Sequence, residues 1–195
     1  MILLREKIKY DSSANKIYGI LFEGAWLWEE YLWTILKKCG FKHPQNKKSK
    51  DGINIYRENL RYPDFYKGKQ VPENFTKEEI ERLIETNFIL DAKYKHLEGN
   101  FQNDEWTSNF SRDDLHQLVT YLHILPAKKG ALIYPFDKID FTDKKIVISK
   151  EKNLFGLGGK IWTIGFAVSK VENYKEFKSK MIESENEFFK TAMFD

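Results

Sequence analysis

Apolar residues recur at helical spacing in two stretches of the chain, and each stretch predicts a helix. The first covers residues 26–38 and is followed by Gly40, which is typical of the position just after a helix. The second, residues 172–190, is a charged amphipathic helix. Capping boxes predict two shorter helices. Thr76 with Glu79 opens one that runs to residue 85, and Ser111 with Asp114 opens one that runs to about residue 125.

Between these helices, short apolar or alternating runs predict strands. The predicted strands are residues 53–56, 60–66, 87–96, 131–134 (ended by Pro135), 145–149 and 160–168. Polar segments 42–52, 67–74 and 99–111 are predicted to be loops. The order of elements predicts a single α/β domain, with a central mixed sheet flanked by helices.

Composition narrows the class of protein without choosing a function. The chain has 195 residues, of which 42% are hydrophobic and 31% are charged, which favours a folded domain. The net charge of +3 permits nucleic-acid binding without requiring it. A single cysteine, Cys39, excludes an internal disulfide framework, and no apolar run approaches the roughly 20 residues of a membrane span. We therefore expect a cytoplasmic, soluble protein with no membrane partner.

The tripeptide Asp91-Ala92-Lys93 follows an apolar run and is the first candidate for chemistry. On a strand, Asp91 and Lys93 point to the same face. A carboxylate at the edge of an apolar core is costly unless it is paired or bound to a metal. The alternative is a strand-end aspartate in a salt bridge with Lys93 or Lys95, and the tripeptide alone leaves both open.

Two further acids favour the interpretation of Asp91 as a metal-binding carboxylate. Asp64 follows Pro63 upstream, and two carboxylates can share a divalent metal. Glu29 lies on an apolar face of the first helix, whereas Glu30 neighbours polar residues, so Glu29 is predicted to be the buried acid of the pair. The alternative for Glu29 is an ordinary buried ion pair.

Gln117 and Tyr121 lie at i and i+4 in the predicted helix after Ser111. Such a pair presents an amide and a phenol on one face. An ordinary amphipathic helix whose polar edge happens to hold these groups is the alternative.

Taken in order, five segments resemble the PD-(D/E)XK nuclease superfamily. They are similar above all to the nuclease domain of McrC-type and LlaJI-type 5-methylcytosine restriction subunits, with an Asp-Ala-Lys-Tyr-Lys signature at residues 91–95. The segments are residues 28–32, 63–65, 90–95, 117–121 and 132–135, and the resemblance covers about 25–135. It implies a restriction-endonuclease-like core over that range, with residues 136–195 as additional strands and a helix.

The resemblance also implies roles for individual residues. Asp64, Asp91 and the Ala92 carbonyl would hold Mg²⁺, with Mn²⁺ as a substitute, and Glu29 would complete the acidic cluster. Lys93 would position or activate the attacking water and stabilise charge on the phosphate. Gln117 and Tyr121 would orient the site or contact DNA. The weaker candidates, for contacts to DNA phosphates, are Lys47, Lys48, Lys50 and Lys95.

The implied function is that of a metal-dependent DNA endonuclease, the cleavage component of a McrBC-like or LlaJI-like restriction system. Its expected partners are double-stranded DNA and a McrB-like AAA+ GTPase motor, and cutting both strands would favour a homodimer. The alternatives are a RecB-like repair nuclease, a nuclease-fold subunit that binds DNA or a motor without cutting, and a plain structural α/β domain. The glycine-rich segment 155–160 lacks the spacing of a phosphate-binding loop, and the four histidines lack zinc-ligand spacing.

Overall fold

The computed structural model describes twelve segments of the chain. They are residues 23–44, 53–56, 59–61, 63–68, 76–95, 99–102, 105–108, 110–125, 127–136, 144–156, 158–169 and 171–191. The predicted phosphate contacts Lys47, Lys48 and Lys50 lie outside these segments.

Helices and strands alternate along the described residues, as the sequence pattern predicts. The helices are α1 (Gly24–Leu36), extended by a 3-10 turn (Lys37–Cys39), α2 (Lys77–Thr86), α3 (Arg112–Ile124) and α4 (Tyr174–Lys190). The strands are β1 (Ile53–Tyr56), β2 (Asn59–Arg61), β3 (Phe65–Lys67), β4 (Phe88–Ala92), β5 (Gly99–Gln102), β6 (Glu105–Ser108), β7 (Lys129–Phe136), β8 (Ile146–Ile148), β9 (Lys152–Asn153) and β10 (Lys160–Ala167). None of the described helices is long and apolar enough to cross a membrane.

The main sheet has the strand order β3-β4-β7-β10-β8, with β9 paired to β10. Strands β4, β7 and β10 run parallel, whereas β3, β8 and β9 are antiparallel to their neighbours. The sheet is therefore mixed, and helices cover both of its faces, so the predicted fold class is confirmed at this level. The late strand β10 lies between β7 and β8, which makes the C-terminal part of the chain integral to the sheet.

Apolar side chains form one core on each face of the sheet. On one face, α1 packs over Phe88, Leu90 and Ala92 of β4, and α4 packs beside it over β10 and β8. On the other face, α3 packs over Ile89 of β4 and Leu132 of β7. Because neighbouring strand residues alternate between faces, Asp91 is directed to the same side as Ile89, which is the side of α3.

Several predicted boundaries are wrong, and each has a physical reason. Residues 60–66 are not one strand, because Pro63 and Asp64 interrupt the chain between β2 and β3. The predicted loop 99–111 contains the antiparallel hairpin of β5 and β6, whose polar composition hid it.

Pro135 does not end β7. The carbonyl of Ile133 faces β4, accepting from the Lys93 backbone N–H at 2.9 Å. By alternation Pro135 faces the same side, beyond the end of β4, where its missing N–H costs no ladder bond.

Candidate active site at the end of β4

The end of β4 places Asp91 and Lys93 against α3. Asp91 is 1% exposed, and the Lys93 side chain is 15% exposed. The Lys93 ammonium contacts Asp91 Oδ2 as an ion pair. The salt bridge that the sequence left as an alternative is therefore present, and it forms within the site.

Asp64 is tied to the same strand end. Its Oδ2 accepts a 2.7 Å hydrogen bond from the backbone N–H of Ala92. This bond crosses from the segment before β3 to β4, next to the antiparallel pairing of Phe65 with Leu90. It fixes the Asp64 carboxylate beside the residue that follows Asp91.

Burial raises the pKa of both aspartates, and the charge of Asp91 adds to the shift of Asp64. Burial and the nearby charges of Asp91 and Glu29 raise the pKa of Asp64 well above its usual range, against the opposing effect of the Ala92 N–H. Burial raises the pKa of Asp91 as well, although the Lys93 ammonium opposes the shift. The site therefore contains two close, buried carboxyl groups with too little positive charge around them.

Both carboxylate oxygens of Asp91 are shielded from water. The Lys93 ammonium contacts Oδ2, and the Asp64 carboxyl group is another polar neighbour of this carboxylate. A buried carboxylate needs compensating positive charge, and a bound cation would add to what Lys93 supplies.

Lys93 is held as a cation. Burial alone would lower its pKa, but the carboxylates of Asp91, Asp64 and Asp114 outweigh burial and raise it. Its ammonium also donates a 2.7 Å hydrogen bond to Gln117 Oε1 of α3. In the protein without bound metal, Lys93 is therefore a fixed positive charge rather than a proton acceptor.

Gln117 and Tyr121 come together on α3 as their spacing predicts. Gln117 Nε2 donates to the Tyr121 hydroxyl at 3.4 Å. Burial raises the pKa of Tyr121, and the nearby Asp91 and Asp64 add to the shift. The phenol is thus a neutral group facing the carboxylate pair.

Glu29 approaches the site from α1, on the opposite face of the sheet. Both Glu29 and Glu30 are half-buried, so the predicted contrast in burial between them is wrong. Their surroundings nevertheless differ. Burial raises the pKa of Glu29, and the charge of Asp91 raises it further, while His43 opposes the shift. Glu29 is therefore the glutamate whose charge is felt at the aspartates.

Three groups at the site were not predicted from the sequence. His43, one of the four histidines without zinc-ligand spacing, lies 2.6 Å through Nδ1 from the backbone oxygen of Asp64 and is tilted against Phe65. Asp114 is buried beneath Lys95, and Tyr134 donates to it at 3.1 Å. The capping box pointed to Asp114, but only as a helix cap.

Within the described residues, no group of three or more His, Cys, Asp and Glu side chains is arranged so that it could hold a metal ion. The predicted set of Asp64, Asp91 and Glu29 is thus not gathered into a three-residue ligand cluster. What the fold brings together is a pair, Asp64 and Asp91, with Lys93 beside it.

Fold and site together define an α/β protein with a carboxylate–lysine centre at the end of a strand. A family model described as "McrBC 5-methylcytosine restriction system component" matches residues 1–135. The chain therefore belongs to this family of restriction-system components.

Comparison with solved structures gives a weaker similarity. The chain is similar to one in the refined half-complex from a tetradecameric assembly of Thermococcus gammatolerans McrB AAA+ hexamers with bound McrC. The two share 18% sequence identity with a TM-score of 0.39, over 84% of this chain and 33% of that chain. The chain thus spans about a third of that chain's length. No curated protein matches it.

Proposed function

We propose that this chain is a Mg²⁺-dependent DNA endonuclease, the McrC-type cleavage component of a restriction system, built on a PD-(D/E)XK core. The observation that carries the proposal is the juxtaposition of Asp64, Asp91 and Lys93 at one strand end, with the Asp91 carboxylate buried there. Membership in the McrBC family supports the biological setting.

The donor set fits a hard divalent cation. Mg²⁺ prefers oxygen ligands, keeps several waters and is often bound through only one or two carboxylates, so a three-residue cluster is not required. Asp64, Asp91 and the Ala92 carbonyl would hold it, with Glu29 adding negative charge nearby. A cation would also offset the burial that raises the pKa of both aspartates and the repulsion that adds to the shift of Asp64.

Each side chain then has a defined task. Bound Mg²⁺ would supply an acidified water and would offset the charge that develops on the phosphate. Lys93, held as a cation, stabilises the same developing charge and orients the attacking water. Gln117 fixes the ammonium of Lys93, and Tyr121 holds the amide of Gln117.

The substrate and partners follow from the same proposal. The substrate is double-stranded DNA, and cutting both strands calls for two sites, supplied by a homodimer or by pairing on DNA. A McrB-like AAA+ GTPase is the proposed motor partner. Lys95 stays a candidate phosphate contact in this proposal, and its ammonium also contacts Asp114.

The test is cleavage of plasmid DNA, with and without 5-methylcytosine, by the chain alone and with a McrB-type GTPase and GTP. Wild type is expected to nick DNA with Mg²⁺ or Mn²⁺, and Asp91→Ala and Lys93→Ala are expected to lose at least about 100-fold in rate. Glu172→Ala, at an exposed position, is the matched surface control. Unchanged nicking by both site variants would contradict the assignment.

A second measurement does not depend on cleavage. Mg²⁺ should raise the melting temperature of wild type by mass action and should have little effect on Asp91→Asn. Tight DNA binding with no cleavage under any metal condition would instead identify a non-cutting, DNA-binding subunit.

A further inference from the structure

Asp114 of α3 lies near the aspartate pair and contacts residues of two other parts of the fold, β7 and the segment after β4. Its Oδ2 accepts from the Tyr134 hydroxyl of β7 at 3.1 Å and contacts the ammonium of Lys95. Its Oδ1 lies 4.0 Å from the Lys93 ammonium. Its backbone N–H donates to Ser111 Oγ at 3.3 Å. The carboxylate therefore lies among two lysines, a tyrosine and the Ser111 hydroxyl.

The side chain of Asp114 is largely sheltered from water, with 10% of its surface exposed. Burial alone would raise the pKa of Asp114, but hydrogen bonds from Lys95 and Ser111 outweigh burial and lower it. A carboxylate 4.0 Å from the Lys93 ammonium attracts it, and this attraction is stronger in a sheltered site than in water.

The proposed function requires a group other than Asp91 to fix the position of the Lys93 ammonium. In the proposed function Asp91 is a metal ligand, so its oxygens cannot be relied on to fix Lys93 as well. Among the described residues that are not proposed metal ligands, Gln117 Oε1 lies 2.7 Å from the Lys93 ammonium and Asp114 Oδ1 lies 4.0 Å from it. Gln117 offers a neutral acceptor, whereas Asp114 offers charge.

We infer that Asp114 is a positioning residue, whose carboxylate holds the Lys93 ammonium beside the Asp64–Asp91 pair and offsets repulsion between Lys93 and Lys95. The inference rests on the proposed function, since Lys93 is the group that acts on the phosphate. In this proposal Asp114 acts through Lys93 and is not itself a metal ligand.

The kinetic test compares Asp114→Asn with two other variants. Asp114→Asn keeps the shape and an acceptor for Tyr134 but removes the charge, and a 10- to 100-fold lower single-turnover rate at saturating DNA is expected, with DNA affinity changed less than about threefold. Asp113→Asn, at the exposed neighbouring position, is the control. Lys95→Met keeps the Asp114 charge, so its rate should stay well above that of Asp114→Asn. Equal losses in Lys95→Met and Asp114→Asn, with no further loss in the double variant, would overturn the inference.

A spectroscopic test separates this inference from the proposed function. In metal-free protein labelled with ¹⁵N-lysine, the Nζ resonance of Lys93 is identified by its loss in Lys93→Arg. It is expected to move in Asp114→Asn, to stay in place in Asp113→Asn and to return towards the wild-type position in Asp114→Glu. An unmoved resonance in Asp114→Asn would overturn the positioning role even if cleavage falls. Absence of cleavage by wild type would overturn the proposed function and leave this readout decisive for Asp114.

Discussion

Lys93 Nζ donates a 2.7 Å hydrogen bond to Gln117 Oε1, and this bond joins the end of β4 to the middle of α3. The two residues are 24 positions apart in the chain. They meet because the residue alternation that directs Ile89 onto α3 also directs Asp91 and Lys93 there. The apolar packing of α3 on the sheet therefore sets the geometry of the charged site.

Removing the amide of Gln117 should weaken this link without unfolding the protein. Gln117→Leu leaves the Lys93 ammonium with one fewer partner, and plasmid nicking is expected to fall about 10-fold. The free energy of unfolding should change by less than about 1 kcal/mol, because Gln117 is exposed and a single hydrogen bond contributes about that much. His116→Leu, at the exposed neighbouring position, should leave nicking unchanged. A loss of nicking in His116→Leu as large as that in Gln117→Leu would point to damage to α3 instead.

Glu29 and Glu30 provide a matched pair on α1. Glu29 shares its electrostatic surroundings with Asp91 and Asp64, so Glu29→Gln is expected to lower both nicking and the affinity for Mg²⁺, by roughly 10-fold. Glu30→Gln should change neither by more than about twofold. Titration of Mg²⁺ against melting temperature and against nicking rate measures both effects. Equal effects of the two variants would mean that Glu29 has no special place at the site.

Local sequence patterns were enough to predict the elements that carry the site. The helical period in α1, the serine cap of α3 and the apolar run into Asp91 each depend on residues within a few positions of one another. Ser111 caps α3, its Oγ accepting from the Asp114 N–H as the capping box predicts. The hairpin of β5 and β6 escaped prediction because its strands are short and polar.

Contacts between distant elements could not be read from the sequence. The capping box assigns Asp114 a local task, whereas the fold directs its carboxylate to Tyr134 and Lys95. His43 reaches Asp64 only because Lys42 pairs with Tyr66 through two backbone hydrogen bonds, which brings the segment after α1 beside β3. Such placements depend on sheet order, which sequence spacing does not encode.

Asp64→Asn should stabilise the metal-free protein, and the gain should depend on pH. The pKa of Asp64 is raised in the folded state, so its ionisation costs stability as pH rises, from none below the unfolded value near 3.8 to the full amount above the folded value. Asparagine cannot ionise and still accepts from the Ala92 N–H. We expect the free energy of unfolding in urea to rise by about 0.5–2 kcal/mol at pH 7.5 and to be nearly unchanged at pH 3.5.

The control for this prediction is Asp113→Asn, at an exposed position on α3. It should show no pH-dependent gain, because it relieves no buried charge. A gain for Asp64→Asn that is equal at both pH values would show that the cause is packing rather than ionisation. Mg²⁺ should stabilise wild type more than Asp64→Asn, since the variant lacks one proposed ligand.

Gly68 and Gly156 test whether the end of β3 depends on glycine. Gly68 has φ of 131°, and a Cβ there would lie 1.9 Å from Oδ1 of the buried Asn87, the residue before β4. Gly156 has φ of 81°, with nothing within 4 Å of its Cβ position. Gly156→Ala should cost about 1 kcal/mol of unfolding free energy, from backbone strain alone. Gly68→Ala should cost about 2–3 kcal/mol in urea unfolding, because collision adds to strain.

Because Gly68 follows β3 directly, this collision would also disturb the pairing of β3 with β4 that places Asp64 beside Ala92. We therefore expect Gly68→Ala to lower nicking at temperatures where it is still folded, while Gly156→Ala leaves nicking unchanged. Equal losses of stability in the two variants would show that strain, rather than contact with Asn87, explains the glycine at position 68.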